Sequence, residues 1–564
     1  MRLWARTMAV TGAIAIVLLS QGVFAARYNA VATGGPEPAA TAALSATPVL
    51  GAIINSPSSC TATGFTIAQT TTANLAWTDS QSAALDAAGN NLVAGYNILR
   101  ATSYSGTYAA EGTVPTSLTG TPPPTTFTES PVPAPSPSAF VVNHGTSANA
   151  EVKPFSEPST FGTSVALSNE PGAEPGAAAV SPDGASLVVA EGTSNTVDVL
   201  TISGATATLA KKITGPTSFK DLTAVAIDPV PISGLYVAFV VADEGTGTAG
   251  DVFEITLNGA SSSLAATPVT IGNQGDPTSI VVTPDGTKVY VANYNSHTVS
   301  EFSATVLPAT ATAVALDTPA TNRPIALAVT ADSSHVYEAD AANSAIDDIT
   351  ASTNTVGTSA IALTASGLTD NSGVASGDPN ILAMMPNGKS LYVAEFHASE
   401  VQQVNTALAA SPDTVATTTT LSGTVEPNAL ALSPNGCELY VSTYSTGTAG
   451  AIFPINAQSP GTTATTSISV TRVNDPNSIV VTADNQYVLD TGTGTGATEV
   501  AVITTKTDAV TVTTGTIAGS APTSVVATPS VGYWYKVQAS HILWTSNVSS
   551  PQPFSIGFNP GAWQ

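Results

Sequence analysis

The sequence predicts an all-β protein. A ring of four-stranded sheets, eight by count with seven as the alternative, is inserted between strands of a small β-sandwich. Three observations predict this. Residues 276–316 hold four β-prone runs (279–283, 288–292, 298–303 and 312–316) separated by turns such as Pro284-Asp285-Gly286, with no helical stretch. The same unit recurs at a spacing of about 50 residues, in the range of propellers and solenoids. The two ends of the array carry remnants that complement each other, and so do the segments flanking it.

In chain order, Arg2 and Arg6 precede a short apolar run over 8–20 and the small residues of Val23-Phe24-Ala25-Ala26. This pattern predicts an export signal over 1–26, with an uncleaved N-terminal anchor as the alternative. No other segment is long enough to span a bilayer. Residues 27–48, rich in Ala, Thr, Pro and Gly, read as a linker.

Residues 49–131 change character. Asn74-Leu75-Ala76-Trp77-Thr78 is a strand that buries Trp77, Gly95-Tyr96-Asn97-Ile98-Leu99-Arg100-Ala101 alternates, Tyr104–Tyr108 is a turn, and Thr125–Glu129 is another strand. Near the other end, Tyr533-Trp534-Tyr535-Lys536-Val537-Gln538-Ala539 alternates strictly, and Trp544-Thr545-Ser546-Asn547 follows. Together these segments resemble a fibronectin type III domain whose first five strands lie in 49–131 and whose last two lie in 530–564. The resemblance implies that Trp77 and Tyr533 share a core. Either half alone would leave an open sheet with a wet apolar face.

Between them, the repeat starts are Glu174-Pro175, Asp221-Leu222, Asp276-Pro277, Arg323-Pro324, Asp378-Pro379, Glu426-Pro427, Asp475-Pro476 and Ala521-Pro522. Turns such as SPDG at 181–184 and SPNG at 433–436 follow. Second strands are then expected at LVVAE from Leu187, LYVAF from Leu235, VYVAN from Val289, VYEAD from Val336, LYVAE from Leu391, LYVST from Leu439 and QYVLD from Gln486. These residues resemble the YVTN family of β-propeller repeats, related in fold to bacterial lactonase-type propellers, over 139–529. The resemblance implies a fold but no particular activity, because one fold hosts many functions. The eighth first strand, 523–528, has nothing after it. Residues 139–144, 150–155 and 163–167 supply later strands with no first strand before them. A composite blade built from both remnants would close the ring and remove its open edges.

Composition narrows the function classes. The chain has 564 residues, 9% charged, and a net charge of −25. That field disfavours nucleic acid, whose binding needs clustered Lys and Arg, and favours cations. Cys60 and Cys437 are the only cysteines and are expected as two buried small residues, with a disulfide as the alternative.

On one propeller face, the entering loops carry Glu174, Asp221, Asp276, Arg323, Asp378, Glu426 and Asp475. The loops after the second strands carry Asn143, Glu191, Asp243, Asn293, Asp340, Glu395 and Asp490. Two concentric acidic rings are therefore expected around the channel mouth. Their oxygens suit Ca²⁺, or they accept turn hydrogen bonds. His144, His297 and His397 are read as solvated loop residues. Gly492–Gly496 lacks the following helix of a phosphate cradle, residues 340–348 lack the Gly and Glu of an EF-hand, and no Gly-x-Ser-x-Gly elbow occurs.

With no catalytic set identifiable, the sequence reads as an exported, non-catalytic cell-surface or extracellular protein. Its acidic face would bind a ligand, a glycan or a cell-envelope protein. The alternative is a lactonase-like or carbohydrate-active enzyme at the channel mouth, with Arg323 anchoring an anionic substrate.

Overall fold

The computed structural model describes residues 138–528 apart from short loops, the longest of them 364–380. Outside that range it describes the strands Val49–Leu50, Ile54–Asn55, Ala73–Thr78, Gly95–Ala101, Ala109–Val114, Thr126–Glu129, Tyr533–Ser540, Thr545–Val548 and Gln552–Phe554. Residues 1–48, where an export signal and a linker are expected, lie outside the described residues.

The turn chemistry of the repeat explains its regularity. In the repeat beginning at Asp276, Thr283 Oγ1 donates to Asp285 Oδ1 at 2.6 Å, and the same carboxylate oxygen accepts from Thr287 N at 3.1 Å. Lys288 N then donates to Thr283 Oγ1 at 3.0 Å. The next position must be left-handed. Gly184, Gly286, Gly388 and Gly436 fill it at φ between 66° and 69°, and Ser333 and Asn485 at 62° and 63°. Glycine is doubly required at 286, because a Cβ there would lie 2.7 Å from Asp228 Oδ1.

Seven blades of four or five strands follow one another, opened by Pro175–Val180, Leu222–Ile227, Pro277–Val282, Pro324–Val329, Leu382–Met384, Glu426–Leu432 and Asp475–Val481, here blades 1 to 7. Blade 8 is composite. Ser520–Ala527 pairs with Ala139–Gly145, which pairs with Glu151–Ser156. Val525 faces Val141, and Pro522 faces Asn143. Each blade's first strand contacts that of the next, and Ser520–Ala527 contacts Pro175–Val180, so the ring is closed and eight-bladed. Hydroxyls stitch these inner strands together. Thr223 Oγ1 donates to Pro277 O, and Thr278 Oγ1 to Pro324 O, both at 3.0 Å.

Apolar side chains fill the gaps between blades. Ala226, Phe239 and Val252 of blade 2 meet Ile280, Val289 and Phe302 of blade 3. The recurring second-strand tyrosine adds a polar tie. The hydroxyl of Tyr290 donates to Asn354 Oδ1 (2.7 Å), that of Tyr337 to Asp413 Oδ2 (2.7 Å) and that of Tyr392 to Ala457 O (2.6 Å). In each case the partner lies beyond the third strand of the next blade.

Two expected strand frames shift. Blade 2's second strand is Val237–Ala242, and the register of Ala226 with Phe239 puts Phe239, not Tyr236, where blade 3 has Tyr290. The stretch Asp228–Tyr236 contains two prolines and closes through an Ile232–Leu235 bridge, which lengthens the turn. In blade 7, Leu489 takes that position and Tyr487 falls two residues earlier.

The chain divides into two compact units, one holding the blades. The other contains two sheets. Ala73–Thr78 pairs with Val49–Leu50, Ile54–Asn55 and Thr126–Glu129. Gly95–Ala101 pairs with Ala109–Val114 and, from the far end of the chain, with Tyr533–Ser540, so that Tyr96 faces Ala539. Tyr533–Ser540 also pairs with Thr545–Val548 and Gln552–Phe554. The side chains of Trp77 and Tyr533 lie outside the described residues. Cys437 is buried and disulfide-bonded, which corrects the expectation of a buried thiol; Cys60 is the only other cysteine in the sequence. Among the described residues, no helix is long and apolar enough to cross a membrane.

Candidate functional site

One backbone device builds the loop face. In blades 2 to 4, the residue entering the blade offers its carbonyl to the first residue after that blade's second strand. Asp243 N donates to Asp221 O (3.1 Å), Tyr294 N to Asp276 O (3.0 Å) and Ala341 N to Arg323 O (3.0 Å). Asp221 and Asp276 are left-handed there, at φ 47° and 64°, a conformation that short polar side chains tolerate better than most. Entering loops and second-to-third-strand loops thus share a face, as expected.

The two expected rings resolve differently. Of the entering positions, Asp221 and Arg323 are exposed, and Asp276 and Glu426 half-buried. Glu174, Asp378 and the side chain of Asp475 lie outside the described residues. The second set occupies three distinct positions, so it is not a ring. Glu191, Asn293, Asp340 and Glu395, with Asn143, are the buried residues that pair with the start of the third strand. Most are engaged within their own hairpins. Thr196 Oγ1 donates to Glu191 Oε2 at 2.8 Å, Asn293 Nδ2 to Ser300 Oγ at 3.0 Å, and Gln402 Nε2 to Glu395 Oε1. Asp243 lies one residue further on, in the loop. Asp490 lies two residues inside its strand, fully buried, and accepts from Ser442 Oγ of blade 6 at 3.0 Å.

What does converge is a polar cluster over blades 2 to 4. Asp276 N donates to Asp243 Oδ1 at 3.2 Å, and Asn295 Nδ2 donates to Asp276 Oδ2 at 3.0 Å. Burial, and secondarily the Asp243 charge, push the Asp276 carboxyl above its ordinary value. Arg323 reaches back from the next entering loop. Its Nη1 donates to Tyr294 OH at 2.6 Å, and its guanidinium carbon lies 5.0 Å from the Tyr294 ring centroid. Its own N–H donates to Asp340 Oδ1 at 2.9 Å. His297 is not simply solvated: its Nδ1 donates to Asn322 O. The side chain of His397 lies outside the described residues.

Sequence reading picked out Asp276, Asp243 and Arg323 but missed Tyr294, Asn295 and Asn322. Their signal was the polar Tyr-Asn after VYVAN and an Asn just before Arg323. The chemistry on offer is an arginine suited to an anionic oxygen, a phenol, a carboxamide and two neighbouring carboxyls. Among the described residues, no three His, Cys, Asp or Glu side chains are grouped to hold a metal ion.

No family model matches the sequence, and no curated protein does. Several solved structures resemble the fold. The periplasmic gluconolactonase PpgL of Pseudomonas aeruginosa is 13% identical, over 74% of this chain and 99% of that one, with a TM-score of 0.42. A protein from Lactobacillus plantarum is 14% identical, over 69% and 98%, at 0.43. The Myceliophteria thermophila Cps50 (Swd1) β-propeller domain is 14% identical, over 58% and 96%, at 0.40.

Proposed function

We propose that the loop face over blades 2 to 4 binds a small polyhydroxylated anion of the sugar-acid or sugar-lactone class, and that lactone hydrolysis is the reaction its groups suit. The observation that carries this reading is that consecutive residues hold the two halves of the cluster: Tyr294 carries Arg323, and Asn295 donates to Asp276, whose N–H Asp243 accepts. Arg323 would hold a carboxylate or phosphate. Asn295 and Tyr294 would meet hydroxyls. Asp276, whose proton affinity is raised, would take a proton from the attacking water as the ring ester opens.

The same groups also support the reading of a non-catalytic binding protein, in which the ligand is held but not turned over. In either case the two sheets outside the propeller would form a fibronectin type III-like sandwich split by the propeller. The disulfide at Cys437 fits an exported protein in an oxidising compartment. Ca²⁺ at the acidic face and a glycan or cell-envelope partner remain parts of this proposal. A screen of sugar lactones, with calorimetric titration of the corresponding acids, tests it. Hydrolysis or binding by the wild type should fall at least about tenfold in Arg323→Ala, the scale of one charge-assisted hydrogen bond. Asp276→Asn should abolish hydrolysis while leaving binding in place. Binding without turnover would select the non-catalytic reading, and neither would exclude the class.

A further inference from the structure

Blade 4 carries an anomaly beneath this site. Two residues before the end of the second strand, six blades have valine (Val141, Val189, Val240, Val291, Val393 and Val441) and blade 7 has the lone buried acid Asp490. Blade 4 has Glu338, fully buried, and its cross-strand partner is Asp347, 1% exposed. Asp340, at the end of the same strand, is 2% exposed. Three carboxyls thus lie together out of water.

One side chain joins them to the loop face. Asn322, fully buried, donates through Nδ2 to Asp347 Oδ2 at 3.0 Å and to Glu338 Oε2 at 3.4 Å. Its carbonyl accepts from His297 Nδ1 of blade 3. The next residue is Arg323, whose N–H is held by Asp340. The short segment that presents the guanidinium is therefore anchored at three points, two of them on buried acids.

We propose that Asn322 and the Glu338–Asp347 pair are positioning residues for Arg323: the pair, sharing one proton, holds the Asn322 amide and so fixes the guanidinium over Tyr294. Two ionised carboxyls side by side in a dry gap would repel each other, and one amide cannot neutralise both. A shared proton removes the conflict. Consistent with this, burial, then Asp347 and Asp340, hold the Glu338 carboxyl well above its ordinary range. From blade 3, His297 faces the pair's anchor. Tyr290 and Lys288 are engaged with Asn354 at the other end of the gap, beside Glu301. Losing the proton at high pH would free Asn322 and loosen the arginine. As a statement about ligand binding, this rests on the function proposed above; as a statement about the loop, it does not.

The test uses the whole chain labelled with ¹⁵N-histidine, which has five rings to resolve. In the wild type, the His297 resonance should show a second inflection above the ordinary carboxyl range, separate from the ring's own titration. Gluconate affinity should fall over the same pH interval. Glu338→Gln, which keeps a neutral hydrogen-bonding side chain, should lose both responses and bind gluconate as the wild type does at neutral pH. Glu338→Val, which installs the residue of six other blades and should fold, should shift the His297 resonance and weaken gluconate about tenfold. An unchanged inflection in Glu338→Gln, or a Glu338→Val protein that matches the wild type in both readouts, would overturn the proposal. If His297 behaves as expected and no sugar acid binds, the anchoring stands and the function proposed for the site fails.

Discussion

Buried ionisable side chains set the pH behaviour of this molecule residue by residue. Asp490 is enclosed between blades 6 and 7, and burial pushes its carboxyl up to about 8 from 3.8, opposed only by the Ser442 hydroxyl. The unfolded chain releases that proton near the ordinary value, so native stability from this group is greatest below it and declines as pH rises towards 8. Asp490→Asn keeps the acceptor for Ser442 and removes the charge. Its melting temperature should match the wild type near pH 4 and exceed it at pH 8, by the equivalent of about 1–3 kcal/mol. His335 changes its contribution in the same direction, for a different reason. Its Nδ1 lies 2.7 Å from Asp348 Oδ1, and that bond raises its pKa from 6.5. Its contribution is fully present below the unfolded value and disappears as pH climbs through the folded one. His335→Gln should therefore lose stability at pH 5 but little at pH 9, by less than about 1 kcal/mol for a partly exposed pair. Both effects can be read from melting curves across pH.

At the level of the element, the second strand ties the blades together. The tyrosines at 290, 337 and 392 put a ring into the gap and a hydroxyl on the next blade. Tyr392→Phe leaves Ala457 O without that donor and should cost about 1 kcal/mol in denaturant unfolding. Tyr290→Phe should cost less, because Lys288 Nζ also donates to Asn354 Oδ1, at 2.8 Å. The same strands show what the sequence could convey. The tyrosine motif and the Pro-Asp-Gly turn are local, so most blades were legible from their strings. Blade 2 was not, because its proline-containing turn moved the strand by three residues while a Leu-Tyr-Val string suggested otherwise. The acidic rings failed for a related reason. Asp340 ends its strand, Asp243 lies one residue beyond its strand and Asp490 two residues inside its own, so local strings that look alike place the three acids at different depths. The Arg323–Tyr294 contact joins two blades through side-chain reach, and no spacing rule encodes that.

For the whole molecule, closure of the ring depends on Ser520–Ala527. Ser478 Oγ of blade 7 accepts from Val525 N at 3.2 Å and donates to Val525 O at 3.3 Å, stapling that strand to its neighbour. Val525 is 2% exposed. Val525→Asp should cost more than about 3 kcal/mol and expose the ring to proteolysis, because it buries an unpaired charge at the one non-contiguous blade. Ser478→Ala should cost about 1–2 kcal/mol by the same assay.

The sheet containing Gly95–Ala101 also waits for a strand that begins at Tyr533. Synthesis therefore withholds the finishing piece of both units until the segment beginning at Ser520 has been made. A prematurely terminated chain is left with two gaping seams at once, which makes it an easy target for quality control. A chain that extends past Ser540 seals both within a few residues of each other. The architecture thereby registers whether the segment 520–540 has been made.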